Sequence, residues 1–259
     1  MIVRTPEERA TLIEAGRRLG AVLEEVAAMV SPDVTVDTLD ARARDLIHAG
    51  GDEPAFEGYM PEGARRKYPA TLCVSVNDEV VHGIPNESPR TLKEGDVVAL
   101  DLGLTHNGII VDSALTVPVG KVSKEAHALM DATRAALEKA IEAARPGARI
   151  GDISHATGAA FKGTGFSVVK ALGGHGVGRA VHEEPFIAND GHPGTGPEIV
   201  PGMVLALEPI ANAGKASVAI APDGYTYRTK DGSISAHFEH TILIEEAGTL
   251  VVTRRPSES

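Results

Sequence analysis

Val98-Ala99-Leu100-Asp101 is answered far downstream by Val204-Leu205-Ala206-Leu207-Glu208, and this near-repeat decides how the chain is read. Each copy follows a turn phrase, Leu92-Lys93-Glu94-Gly95-Asp96 in one case and Ile199-Val200-Pro201-Gly202-Met203 in the other. Each therefore carries one acidic side chain to the end of an apolar, β-rich run. A charge taken out of water without a partner is strongly disfavoured. Two such strands call for a shared cation.

The repeat extends in both directions. Val81-His82-Gly83-Ile84-Pro85 parallels Val181-His182-Glu183-Glu184-Pro185, so each half has a histidine before its acidic strand. Asp112-Ser113-Ala114-Leu115 parallels Glu239-His240-Thr241-Ile242, giving each half a second acidic strand. Pro32 to Gly51 aligns without gaps on Pro146 to Gly165, pairing Val36 with Ile150 and Leu39 with Ile153. We expect one domain over residues 1–259, built from an internal repeat of approximately 5–118 and 123–246 around a pseudo-twofold axis.

Helices and strands alternate in the same order in each half. Thr5-Pro6-Glu7-Glu8 reads as a capping box with proline in the first helical turn, and Leu12, Ala15, Leu19, Leu23 and Val26 continue one apolar face. A shorter helix starts near Thr35 and stops at Gly50-Gly51. Ser123 opens the third, which Pro146-Gly147 closes, and a fourth covers about 151–162. After each helix pair come β-rich segments, at 72–76, 97–102 and 108–117, then 168–172, 204–207, 218–221 and 237–244. The order predicts an α+β fold, helices on one face of a curved, largely antiparallel sheet and a pocket on the other.

The composition is that of an ordinary globular chain, 42% hydrophobic and 24% charged, with a net charge of −11. An acidic balance, and no basic run longer than Arg65-Arg66-Lys67, argue against a nucleic-acid surface. No stretch has the length of a membrane span, the N-terminal segment lacks signal-peptide character, and the single Cys73 excludes an internal disulfide and thiolate-cluster metal sites. The expected compartment is the cytoplasm.

Asp101 with Glu208, and Asp112 with Glu239, occupy equivalent places in the two halves. Neighbouring strands bring such residues within about 5 Å of one another. Four acids in one pocket repel and take up protons unless cations hold them. Oxygen-rich sites favour hard or borderline divalent metals. The fifth candidate is His175, in Gly173-Gly174-His175-Gly176-Val177-Gly178, whose counterpart is Ser75. Its glycine neighbours suit a ligand that needs close backbone approach, and its nitrogen would make two metal positions unequal. The same glycine-rich run lacks the ending of a phosphate-binding loop. His48, His106, His127, His155 and His192 read as ordinary hydrogen-bonded residues.

Cys73-Val74-Ser75-Val76-Asn77-Asp78-Glu79-Val80-Val81-His82-Gly83-Ile84-Pro85, Gly174-His175-Gly176-Val177-Gly178-Arg179, His182-Glu183-Glu184-Pro185, Leu207-Glu208-Pro209 and Phe238-Glu239-His240-Thr241 together resemble the type I methionine aminopeptidases over essentially the whole chain. That resemblance implies a pita-bread fold with two divalent metal ions per chain (Co, Mn, Fe or Zn) that removes the initiator methionine from nascent polypeptides. It implies Asp101, Asp112, His175, Glu208 and Glu239 as metal ligands, with Asp112 and Glu239 bridging, Asp101 on one metal, and His175 and Glu208 on the other. Glu208 would accept the attacking proton, while His182 would meet the substrate carbonyl and His82 the scissile amide nitrogen.

Tyr68 and Cys73 stand where the family lines its methionine pocket, Tyr59 adds to it, and Tyr225 replaces a frequent tryptophan. Val181 replaces a common aromatic, residues 60–67 lengthen the loop between Tyr59 and Tyr68, and His237 stands where glutamine is usual. For His237 a hydrogen bond to a neighbouring strand is preferred over a catalytic role, with its side chain on the same face as Glu239. The resemblance further implies a monomer in transient contact with the ribosome, without membrane or direct nucleic-acid function. A dipeptidase or Xaa-Pro peptidase and a non-enzymatic pita-bread protein are the alternatives. The absence of a further N-terminal domain argues against the first, the intact ligand set against the second.

Overall fold

The computed structural model describes residues 1–258. Four helices form: α1 (Pro6–Ala28), α2 (Val36–Ala49), α3 (Lys124–Ala143) and α4 (Ile150–Ala160). The start of α1 follows from its sequence. The Thr5 hydroxyl accepts from Glu8 N at 3.2 Å, and in return the Glu8 carboxylate accepts from Arg4 N at 2.8 Å, one residue before the position of a standard capping box. Ser123 caps α3 in the same way, accepting from Ala126 N at 3.0 Å. Leu12, Leu19, Leu23 and Val26 of α1 are fully buried, the apolar stripe that the 3.6-residue period predicts.

The main sheet has nine strands. Its path runs Glu53–Pro54, Val97–His106, Ile109–Pro118, Glu239–Glu245, Val204–Leu207, Gly173–Gly176, Glu183–Ala188. Leu72–Val76 pairs beside the second of these and Gly248–Val251 beside the fourth. Every pairing is antiparallel. First-half strands lie on one side of the seam between Ile109–Pro118 and Glu239–Glu245, second-half strands on the other. The order is palindromic about that seam, since the strand carrying Asp101 flanks one side and the strand leading to Glu208 flanks the other.

Two apolar clusters lie under the sheet. Helices α1 and α2 pack on first-half strands through residues such as Leu19, Leu39, Leu72 and Leu100, and α3 and α4 on second-half strands through Leu129, Leu137, Ile153 and Leu205. A third, smaller cluster of Phe56, Tyr68, Cys73, Ile84, Val181 and Tyr225 lies beside the acidic residues. No helix of the described residues is long and apolar enough to cross a membrane.

Three local expectations are corrected. The strand expected at 168–172 appears as two, Ser167–Val168 and Gly173–Gly176, which belong to different sheets. The strand expected at 237–244 is broken at Phe238: His237 pairs with Ile210 in a small sheet, whereas Glu239 pairs with Ala114 in the large one. Glu183–Ala188 is a strand that no alternation announced, because it lies at the sheet edge, where both of its faces are partly open.

Candidate metal centre

Five adjacent strands present the five acidic and imidazole candidates in one row. Asp101 is paired with Ala114, and Ala114 on its other side with Glu239, so a fully buried methyl group separates two carboxylates. Asp112 precedes Ala114 by two positions and therefore shares its face. Thr241, on the face of Glu239, pairs with Ala206, and Ala206 pairs with His175. Glu208 follows Ala206 by two positions, just past the end of its strand. The period-2 pattern thus turns all five side chains to one face.

The glycines around His175 serve the strands rather than a ligand. A Cβ on Gly174 would lie 2.3 Å from Ala206 O, and one on Gly176 would lie 2.3 Å from Glu184 O. His175 Nδ1–H donates to the Gly176 carbonyl at 2.9 Å. A carbonyl can only accept, so Nε2 of the neutral ring keeps its lone pair. That atom is 3.6 Å from Glu208 Oε1.

Burial controls the charges. It raises the pKa of Asp101 to about 7 and raises Asp112, Glu208 and Glu239 well above the carboxylate range, with the neighbouring acids adding to the last three. Burial also lowers His82 to about 4 and His175 and His237 to about 3, and lowers His182. The imidazoles are therefore neutral at pH 7, as ligation requires. Asp101 Oδ1, Asp112 Oδ1 and Glu239 Oε1 are buried without a hydrogen-bond partner. Orphaned buried acceptors are rare, and a cation satisfies them. Ligand atoms of Asp112, His175 and Glu239 already lie within 4.8 Å of one another. The donor set fits a divalent metal.

All ten candidate residues meet at one cavity. Asp101, Asp112, His175, Glu208, Glu239, His82, His182, Tyr68, Cys73 and Tyr225 line one open-sided space of about 530 Å³ that is continuous with solvent. Phe56, Tyr59, Pro61 and Val181 complete the wall. Phe56 and Pro61 were not foreseen. Phe56 follows Pro54-Ala55 closely before Tyr59, and that apolar cluster was the available signal. The Tyr68 hydroxyl donates to Gly83 O at 2.8 Å, and the Tyr68 and Tyr225 rings meet edge-on with centroids 5.2 Å apart. Burial pushes the Cys73 thiol well above its ordinary pKa, which makes it wall and not nucleophile.

His82 and His182 approach from the two halves. His82 adopts a left-handed backbone conformation, φ 60°, immediately after the strand Glu79–Val81. Such conformations cost energy and concentrate at functional sites. The ring of His182 meets that of His175 edge-on, with centroids 4.5 Å apart. His237 departs from expectation. The residue is 2% exposed and neither ring nitrogen has a hydrogen-bond partner, so the expected bond to a neighbouring strand is made by the main chain alone, with Thr116 Oγ1. Nε2 lies 3.5 Å from Glu208 Oε2 and 3.8 Å from Glu239 Oε2. The ring faces the same two acids despite the strand break at Phe238.

The model of metallopeptidase family M24 matches residues 10–246. The methionine aminopeptidase of Aquifex aeolicus is 44% identical over 242 residues, covering 93% of each chain. Methionine aminopeptidase 1 of Bacillus subtilis is 42% identical over 254 residues, covering 98% of this chain and 99% of the relative. The crystal structure of methionine aminopeptidase from Thermotoga maritima superposes with a TM-score of 0.92 at 41% identity, covering 98% and 100% of the two chains. A Xaa-Pro dipeptidase from Bacillus anthracis shares the fold, with a TM-score of 0.75 at 19% identity, and this chain covers 62% of its length. The chain belongs to metallopeptidase family M24, in its methionine aminopeptidase branch. It has the pita-bread fold and is a metal-dependent exopeptidase.

Proposed function

We propose that this chain removes the N-terminal methionine from nascent polypeptides by hydrolysis of the first peptide bond. The observation that carries the reading is the row of five donors, four of them buried and three with an unsatisfied oxygen, beside a partly apolar cavity. Asp101, Asp112, His175, Glu208 and Glu239 would hold two divalent ions. Bound there, Co, Mn, Fe or Zn would supply Lewis acidity and a lowered pKa for the attacking water.

The chain's own groups do the remaining work. Phe56, Tyr68, Cys73, Val181 and Tyr225 accept the methionine side chain on an apolar, sulfur-tolerant wall. Glu208 accepts the proton of the attacking water and passes it on. His182 donates to the substrate carbonyl and to the oxyanion that develops from it. His82 contacts the departing amide nitrogen from the opposite side. Supported by a sheet that crosses both halves, residues 1–259 act as one domain, with repeats of approximately 5–118 and 123–246. We further place the protein in the cytoplasm as a monomer with transient ribosome contact.

Incubation of metal-loaded protein with Met-Gly-Met-Met and with Xaa-Pro peptides tests the reaction. Rapid methionine release, blocked by chelation, is expected from the first alone. Cleavage of the Xaa-Pro peptides instead would reject it. His82→Ala and His182→Ala should each lower kcat by on the order of 10² while retaining metal.

A further inference from the structure

Tyr59 does more than line the cavity. Its hydroxyl lies 2.9 Å from Nδ1 of His182, and the two rings stand 5.5 Å apart with their planes tilted by 49°. A neutral imidazole has one nitrogen that donates and one that accepts, and the partner of one nitrogen fixes the role of the other. A phenol O–H, with a pKa of about 10, is a far better donor than the N–H of a neutral imidazole. The favoured bond is therefore O–H to Nδ1, which leaves the ring proton on Nε2. The opposite arrangement would leave Nε2 with a lone pair aimed at the substrate, and a lone pair repels a carbonyl oxygen.

We propose that Tyr59 is the positioning residue of His182: its hydroxyl donates to Nδ1 and so holds Nε2 as the hydrogen-bond donor that faces the substrate carbonyl. The inference rests on the role given to His182 above. The segment that carries Tyr59 is fastened at both ends. At its neck Gly58 N donates to Tyr68 O at 2.9 Å, and Tyr68 N to Tyr59 O at 2.8 Å. At its far end Arg66 pairs with both oxygens of Glu87 and donates to Asp223 O at 3.1 Å. Tyr225, in the cavity wall, donates its hydroxyl to Arg66 O. Residues 60–67, the stretch that lengthens this loop, thus form a closed strap that gives Tyr59 a fixed place. His182 is held from the other side by the ring of His175.

The test begins on the unaltered protein. In zinc-loaded, ¹⁵N-histidine-labelled protein, the His182 resonances should report the Nε2–H tautomer, and an Nδ1–H tautomer overturns the proposal. Tyr59→Phe keeps the ring and deletes the hydroxyl. It should lower kcat about tenfold with KM unchanged, and shift the His182 nitrogens toward a mixture of tautomers. Unchanged kcat and unchanged resonances in Tyr59→Phe, alongside a strongly impaired His182→Ala, reject the part given to Tyr59 and leave that of His182 intact. A fully active His182→Ala rejects the role of His182 and the catalytic consequence of Tyr59 together, whatever the tautomer.

Discussion

Ser75 and His175 occupy equivalent places in the two halves and do opposite things. The Ser75 hydroxyl turns inward to accept from Gly83 N at 3.1 Å, so it closes a turn. His175 spends Nδ1 on its neighbour's carbonyl and keeps Nε2 for the centre. The first half therefore brings two carboxylates to the site, and the second brings two carboxylates and a nitrogen, with His237 close behind. Duplication supplies the geometry, and one departure from it makes the two ends of the row chemically distinct. A symmetric frame is enough to gather acids, but not to give them different tasks.

The comparison can be broken most severely at the seam. Asp112→Asn and Glu239→Gln each remove a carboxylate from the middle of the row, and each should cut activity by about 10³ together with metal content, measured by elemental analysis of dialysed protein. Full metal content retained in either variant would show that the seam does not hold metal. His175→Ser makes the second half resemble the first. It should weaken binding of the ion that His175 would hold by at least about 10- to 100-fold, a change that calorimetric titration resolves.

A smaller effect concerns the metal-free protein and its stability against pH. Unfolded, the acids of the centre titrate near 3.8 to 4.5 and its histidines near 6.5. Folded, the acids titrate higher, Asp101 near 7, and His82 and His175 near 4 and 3. Below pH 6.5 the two sets oppose each other, because the unfolded state binds protons on the histidines and the folded state on the acids. Above pH 6.5 the unfolded histidines lose most of their protons, the difference on the acids dominates, and the folded state holds more protons. Stability must then fall as pH rises. The Tm of chelated protein should drop between about pH 6.5 and 8, and metal loading should flatten that slope. A Tm that rises with pH in this window would contradict the burial of these four acids as a protonated cluster.

The row of donors was legible because strands impose a period of 2 and the duplication repeated it, so Asp101, Asp112, Glu208 and Glu239 could be placed by alignment of one half on the other. Apolar periodicity similarly gave α1 and α3, whose capping residues Thr5 and Ser123 mark their starts. What escaped depends on long-range geometry. The break at Phe238 arises because His237 and Glu239 are claimed by different sheets, through partners far away in sequence. Phe56, Pro61 and the clasp from Arg66 to Glu87 and Asp223 likewise depend on how a loop folds over the cavity, which no local pattern encodes. The partnerless nitrogens of His237 were equally invisible, since a sequence shows a residue but not whether its hydrogen bonds are made.

The seam between Ile109–Pro118 and Glu239–Glu245 has one further consequence. Asp101 and Asp112 stand on one side of it, Glu208, Glu239 and His175 on the other. Were the two halves to part, even slightly, the row would divide into incomplete sets, neither of which could replace the other. Cohesion of the molecule and integrity of its reactive centre are thus a single cooperative property, and whatever binds across the joint strengthens both at once.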